Sequence, residues 1–185
     1  MHQRFHTIGA RPKPKVFEVN TCYDTPQHHI AIRDGVLRLR QDNACHLTLK
    51  RRPAMDDPDV KVYRELEVLV SDFDTMEKIL GSLGYHPVRR YEKWRQTYIL
   101  KDTLLCMDTL PFGNFLEIEG DKRSIRHTSE QLGLAWEKRI LTSYLAIFDQ
   151  LQKEAHLTFD NPTFDRFKGI AVSIEPFLNH FEAGR

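Results

Sequence analysis

Several short stretches of this chain alternate apolar and charged residues with a period of two, and on each such face the charges carry one sign. Residues 37–40 read Leu-Arg-Leu-Arg, residues 47–50 Leu-Thr-Leu-Lys, and residues 116–119 Leu-Glu-Ile-Glu. Side chains two apart on a strand share a face, so this period predicts strands with one apolar and one charged surface. The basic faces hold Arg38, Arg40, Lys50, Lys93 and Arg95; the acidic faces hold Glu65, Glu67, Asp108, Glu117 and Glu119. For any single strand, the ordinary reading is an antiparallel sheet with one wet face. The set asks for more, because like charges side by side repel unless a counter-ion answers them. A divalent cation among the carboxylates and a polyanion among the Arg and Lys satisfy both groups. A phosphate chain with its metal is such a ligand. A closed barrel, apolar outside under helices and charged within, would bring these strands together.

In chain order, residues 1–10 read as the end of a helix stopped at Gly9, and Pro12 and Pro14 hold the next stretch extended. A strand is expected at 16–24, ended by Thr25-Pro26. Residues 27–33 fit no single element, and Asp34-Gly35 signals a turn. Strands at 36–41 and 46–51 form a hairpin over Asp42-Asn43-Ala44. An acidic, proline-containing loop follows at 53–59, then a strand at 61–70 with Val62, Arg64, Leu66, Val68 and Val70 on one face. A helix is expected over 71–84, from Phe73, Met76, Ile79, Leu80 and Leu83, with Asp72 or Asp74 as cap and Gly84 as stop. Strands at 88–100, 104–110 and 115–120 complete the sheet. Helices are expected at 124–132 and 140–157. The tail, 158–185, reads as helical and amphipathic; its phenylalanines form a packing stripe, with a homodimer contact as the alternative.

The 185 residues suit one domain with an appendage: a tunnel domain over 1–151 and a C-terminal helical extension over 152–185. With 27 Lys and Arg against 26 Asp and Glu, the balance points away from nucleic acid and from membrane surfaces. No apolar run is long enough to span a bilayer, and the start is not a signal peptide. Cys22, Cys45 and Cys106 form no CxxC pair, so neither zinc nor disulfides are expected, and a reduced, cytoplasmic protein is. His28-His29 reads as a solvated pair.

The ordered motifs Tyr23-Asp24-Thr25-Pro26, Leu37-Arg38-Leu39-Arg40, Leu47-Thr48-Leu49-Lys50, Arg64-Glu65-Leu66-Glu67, Glu92-Lys93-Trp94-Arg95, Leu116-Glu117-Ile118-Glu119-Gly120 and Ser143-Tyr144-Leu145 resemble those of CYTH-domain proteins. That family lies in the triphosphate tunnel metalloenzyme superfamily, with class IV adenylate cyclases and thiamine triphosphatases. The resemblance implies an α+β fold: an eight-stranded antiparallel β tunnel with flanking helices. It also implies a triphosphate small molecule gripped by Arg38, Arg40, Lys50, Lys93 and Arg95, with Lys50 and Lys93 catalytic. Glu117, Glu119, Asp108, Glu65 and Glu67 match the acidic positions that hold Mg²⁺ or Mn²⁺. Arg64 is expected to be structural rather than a ligand, and Tyr144 matches a family tyrosine whose role the sequence leaves open, packing included. The family's opening Glu-x-Glu-x-Lys strand has no counterpart in this sequence, so either the tunnel lacks its first strand or the native start lies upstream. Three functions follow from the resemblance: metal-dependent triphosphate hydrolysis, cyclic AMP formation from ATP, and triphosphate binding without turnover.

Overall fold

The computed structural model describes residues 1–53, 55 and 57–183. Ala54 and Asp56 of the expected 53–59 loop, and Gly184 and Arg185 of the expected tail, lie outside the described residues. Eight strands make one antiparallel sheet: β1 (Arg11–Pro12), β2 (Val16–Asp24), β3 (Gly35–Gln41), β4 (Cys45–Arg51), β5 (Arg64–Val70), β6 (His86–Leu100), β7 (Thr103–Leu110) and β8 (Gly113–Glu119). Their order is β5-β4-β3-β2-β6-β7-β8, with β1 also paired to β6. This order is open, ending at β5 and β8, where a closed barrel was expected. Five helices flank the strands among the described residues: α1 (His2–Thr7), α2 (Phe73–Ser82), α3 (Lys122–Gln131), α4 (Tyr144–Glu154) and α5 (Glu175–Leu178). The chain divides into two compact units, Phe17–Glu92 and Met1–Val16 with Lys93–Arg185.

In the unit Phe17–Glu92, the β3–β4 hairpin pairs Arg38 with Thr48 and Leu39 with Leu47, so the predicted faces are in register. Leu37 and Leu39 bury their side chains with Tyr23, Ile30 and Leu80, and Leu47, Leu49, Phe73 and Met76 pack around them. The apolar stripe of α2 supplies the cover. Its N-cap is Asp72, whose carboxylate accepts from the Thr75 amide at 2.7 Å. Gly84 takes φ +86°, the left-handed geometry that stops a helix at little steric cost. The cover reaches only the end of β5: Val70 packs against this cluster, whereas Leu66 and Val68 are 61% and 56% exposed. This corrects the expectation that every apolar face lies under a helix: α2 packs on the β3–β4 hairpin, and β5 ends the strand order. Residues 27–33 form a turn and a short 3-10 segment, Ala31–Arg33. Asp24 organises it, its carboxylate accepting from the amides of Thr25, Ile30 and Ala31.

In the other unit, α1 stops at Gly9 (φ +81°), and the Ala10 amide bonds back to the Phe5 carbonyl at 2.9 Å. Phe5 packs with Tyr98, Leu105 and Leu132. A second apolar cluster joins Leu110 and Phe112 of the β7–β8 turn to Ile147, Phe148 and Leu151 of α4 and to Phe167 and Ile174 of the tail. The tail is mostly turns rather than an amphipathic helix; α5 and a 3-10 segment at Asn179–Phe181 are its regular pieces. Pro162 and Gly169 interrupt any helix there. Its apolar side chains bury themselves from irregular backbone, which ends in an antiparallel bridge between Ile140 and Glu182.

Candidate functional site

Two charged clusters stand on the sheet, one in each unit. The first is built on β6, β7 and β8. Antiparallel register sets Arg95 opposite Asp108, and Cys106 of the same β7 face opposite Glu117, so Arg95 lies across from one carboxylate and within reach of the next strand's. Asp108 Oδ2 accepts from Lys93 Nζ (2.8 Å), Arg95 Nη2 (2.5 Å) and the Tyr144 hydroxyl (3.1 Å), while Oδ1 accepts from Arg95 Nε (2.7 Å). Arg95 also reaches Glu117 Oε2 at 2.5 Å and Glu119 Oε1 at 3.5 Å. The side chains of Lys93 and Asp108 are 3% and 0% exposed. A charge so deeply placed persists only when paired and hydrogen-bonded. Burial pushes the Asp108 carboxyl up, but Arg95 and Lys93 outweigh it and hold it below the usual range. Burial likewise opposes the Arg95 charge, and the carboxylates of Asp108 and Glu117 more than restore it.

The second cluster stands on β3, β4 and β5. Lys50 Nζ meets Glu65 Oε1 at 2.6 Å, and the Thr48 hydroxyl donates to Glu67 Oε2 at 2.7 Å. Arg40 lies 3.2 Å from Asp42 and 4.0 Å from Glu67, and His46 lies 3.4 Å from Glu67. Burial raises the Glu67 carboxyl, but the Thr48 hydroxyl with Arg40, His46 and Arg38 brings it below the usual range. Arg38 is raised despite its burial by Tyr91, Glu18 and Cys22. Asn20 of β2, opposite Arg40 in register, is fully buried, and its amide finds no hydrogen-bond partner among the described residues.

All ten charged residues singled out in the sequence therefore fall into these clusters: Lys93, Arg95, Asp108, Glu117 and Glu119 in one, Arg38, Arg40, Lys50, Glu65 and Glu67 in the other. Arg64 is exposed on β5. Sequence reasoning did not single out Asn20, although the period of two in 16–24 aligns it with Glu18 and Cys22 and would have found it. Tyr144 packs on Phe115, one of the roles open to it from sequence, and its hydroxyl also contacts Asp108; helical spacing shows a side chain's stripe, not its hydrogen-bond partner.

No group of three or more His, Cys, Asp or Glu side chains is arranged to hold a metal ion among the described residues. Magnesium commonly takes one or two carboxylates and completes its shell with water and substrate phosphate. Glu117 and Glu119, two apart on one face of β8, fit that mode. Asp108 has both oxygens accepting from Lys93, Arg95 and Tyr144, while Glu117 and Glu119 each accept from Arg95.

An antiparallel sheet flanked by helices is a fold with several solved examples. Superposition gives a TM-score of 0.65 with a candidate adenylate cyclase from Vibrio parahaemolyticus, at 19% identity over 80% of this chain and 92% of that one. A Pyrococcus horikoshii protein also scores 0.65, at 24% identity over 80% and 92% of the two chains. A candidate adenylyl cyclase from Hippeastrum, described as having a dominant triphosphatase activity, scores 0.59 at 18% identity over 80% and 89%. A comparison with curated proteins found no match. The CYTH domain family model matches residues 4–140, and the chain belongs to that family. No helix among the described residues is long and apolar enough to cross a membrane.

Proposed function

We propose that this chain binds a small molecule carrying a triphosphate, as its Mg²⁺ or Mn²⁺ complex, and hydrolyses it. The observation that carries the reading is Arg95, shared among Asp108, Glu117 and Glu119 with Lys93 beside it. In that arrangement cations and carboxylates neutralise one another. A metal–phosphate pair substitutes for both sides at once: carboxylates turn to the metal, and the guanidinium and ammonium turn to phosphate oxygens. Phosphate alone meets the repulsion of Glu117 and Glu119, and metal alone meets that of Arg95. The row Arg38, Arg40 and Lys50 supplies further donors of the same kind in the other unit. Family membership and the likeness in fold to the Hippeastrum protein agree with this reading.

Glu117 and Glu119 would hold the metal, which supplies charge neutralisation to the transferring phosphoryl group. Lys93 and Arg95 would bind and orient phosphates and stabilise the charge that develops on leaving oxygens, and Arg38, Arg40 and Lys50 would be candidate phosphate ligands within their own unit. Asp108 would keep Lys93 and Arg95 charged and in place, an anchoring role in place of the metal ligation expected from sequence.

The test is phosphate release from tripolyphosphate, ATP and thiamine triphosphate with Mg²⁺ or Mn²⁺, for the native sequence and Glu119→Ala. Metal-dependent release, lost in a variant that keeps its circular-dichroism spectrum, is the expected result. Full activity in Glu119→Ala would overturn the metal assignment. Cyclic AMP among the products of ATP would identify a cyclase. Binding without turnover would identify a sensor of triphosphates.

A further inference from the structure

Tyr144 opens α4, where the Ser143 hydroxyl caps the helix by accepting from the Ala146 amide at 3.3 Å. Its ring lies 4.7 Å from that of Phe115, on the same strand as Glu117, and Lys93 Nζ sits 5.5 Å from its centroid. On the same helix face, Ile147, Phe148 and Leu151 pack with Phe112, Phe167 and Ile174, and Tyr144 packs against that cluster. The hydroxyl thus reaches Asp108 from a helix face held by apolar packing.

We propose that Tyr144 is a positioning residue: its hydroxyl fixes the Asp108 carboxylate and, through it, the orientation in which Lys93 and Arg95 meet a phosphate chain. This rests on the triphosphate reading above. A carboxylate turns about a broad torsion, and its cationic partners are the very groups a phosphate draws away. As Lys93 and Arg95 share their protons between Asp108 and phosphate, Asp108 is held by a donor that the ligand does not draw on, because a buried anion short of donors is costly. A neutral phenol provides that donor without adding charge that would compete for the ligand. The same hydroxyl also meets Glu117, and burial with the charges of Glu117 and Asp108 raises the phenol's pKa above its ordinary value.

The experiment is calorimetric titration with tripolyphosphate in Mg²⁺ of the native sequence, Tyr144→Phe, Asp108→Asn and the double variant, with thermal unfolding of each. Phenylalanine keeps the ring contacts to Phe115 and Lys93. Tyr144→Phe is expected to weaken binding about five- to tenfold, the worth of one hydrogen bond, and to have no further effect once Asp108 is Asn. Where Asp108→Asn does not fold, Lys93→Ala takes its place in the cycle. Unchanged affinity in Tyr144→Phe, or losses that simply add in the double variant, would overturn the positioning role. Tripolyphosphate binding that is absent from the native sequence, or intact in Lys93→Ala, would overturn the triphosphate reading and this role with it. Loss in Lys93→Ala without loss in Tyr144→Phe would overturn the positioning role alone.

Discussion

Asp108 is an enclosed anion whose partners are a lysine, an arginine and a phenol, and its ionisation is tied to the stability of the fold. Its pKa lies below the ordinary value in the folded state. The unfolded chain therefore binds this proton more readily. The stabilisation is complete above the unfolded value, about 3.9, and is lost as pH falls from there through the depressed folded value. Thermal unfolding from pH 7 down to pH 2 checks this: the native sequence should lose stability more steeply below about pH 4 than Asp108→Asn does. At neutral pH, Asp108→Ala leaves Lys93 and Arg95 without their shared anion and should cost about 3–5 kcal/mol. An unfolding midpoint unchanged by that substitution would contradict the pairing described here.

At the scale of elements, the turn before β3 is the most tightly constrained joint. A Cβ at Gly35 would lie 2.9 Å from the Ile30 carbonyl oxygen, a backbone atom that cannot swing aside. Gly35→Ala should destabilise by about 1–3 kcal/mol, read by denaturant unfolding, while Gly81→Ala, which meets nothing within 4 Å, should not. The strands were legible because their alternation is strict: Leu37, Leu39, Arg38 and Arg40 can be sorted onto faces without any structure. The β3–β4 hairpin followed from Asp42-Asn43-Ala44. The pairing of signs was not legible, because cross-strand register depends on distant strands; nothing local says that Arg95 faces Asp108 while Lys50 faces Glu65. Nor does alternation tell which apolar face is covered. Leu66 and Val68 repeat like Leu37 and Leu39, yet helix α2 reaches only the latter. The irregular tail was missed for a related reason: phenylalanines at near-helical spacing bury equally well from turns when a cluster such as Phe112 and Phe148 waits for them.

Across the whole molecule, the ends of the sequence differ in what they secure. The last segment carries Phe167 and Ile174, both buried on α4 and the β7–β8 turn, and burying each is worth about 1.5–3 kcal/mol. The Ala183 amide also bonds to the Arg139 carbonyl at 2.9 Å, beside the Ile140–Glu182 bridge. A chain truncated after Leu157 should therefore unfold at lower temperature and bind a hydrophobic dye; a truncated chain as stable as the full one would refute the brace. The same packing sets a timetable for synthesis. Translation runs from the N-terminus, so α4 leaves the ribosome before the phenylalanines that cover it. Until Phe167 and Ile174 emerge, Ile147, Phe148 and Leu151 lack part of their cover. A nascent chain that stalls before Phe167 and Ile174 are free to pack would hold most of its charged residues in place yet display the kind of apolar surface that chaperones capture.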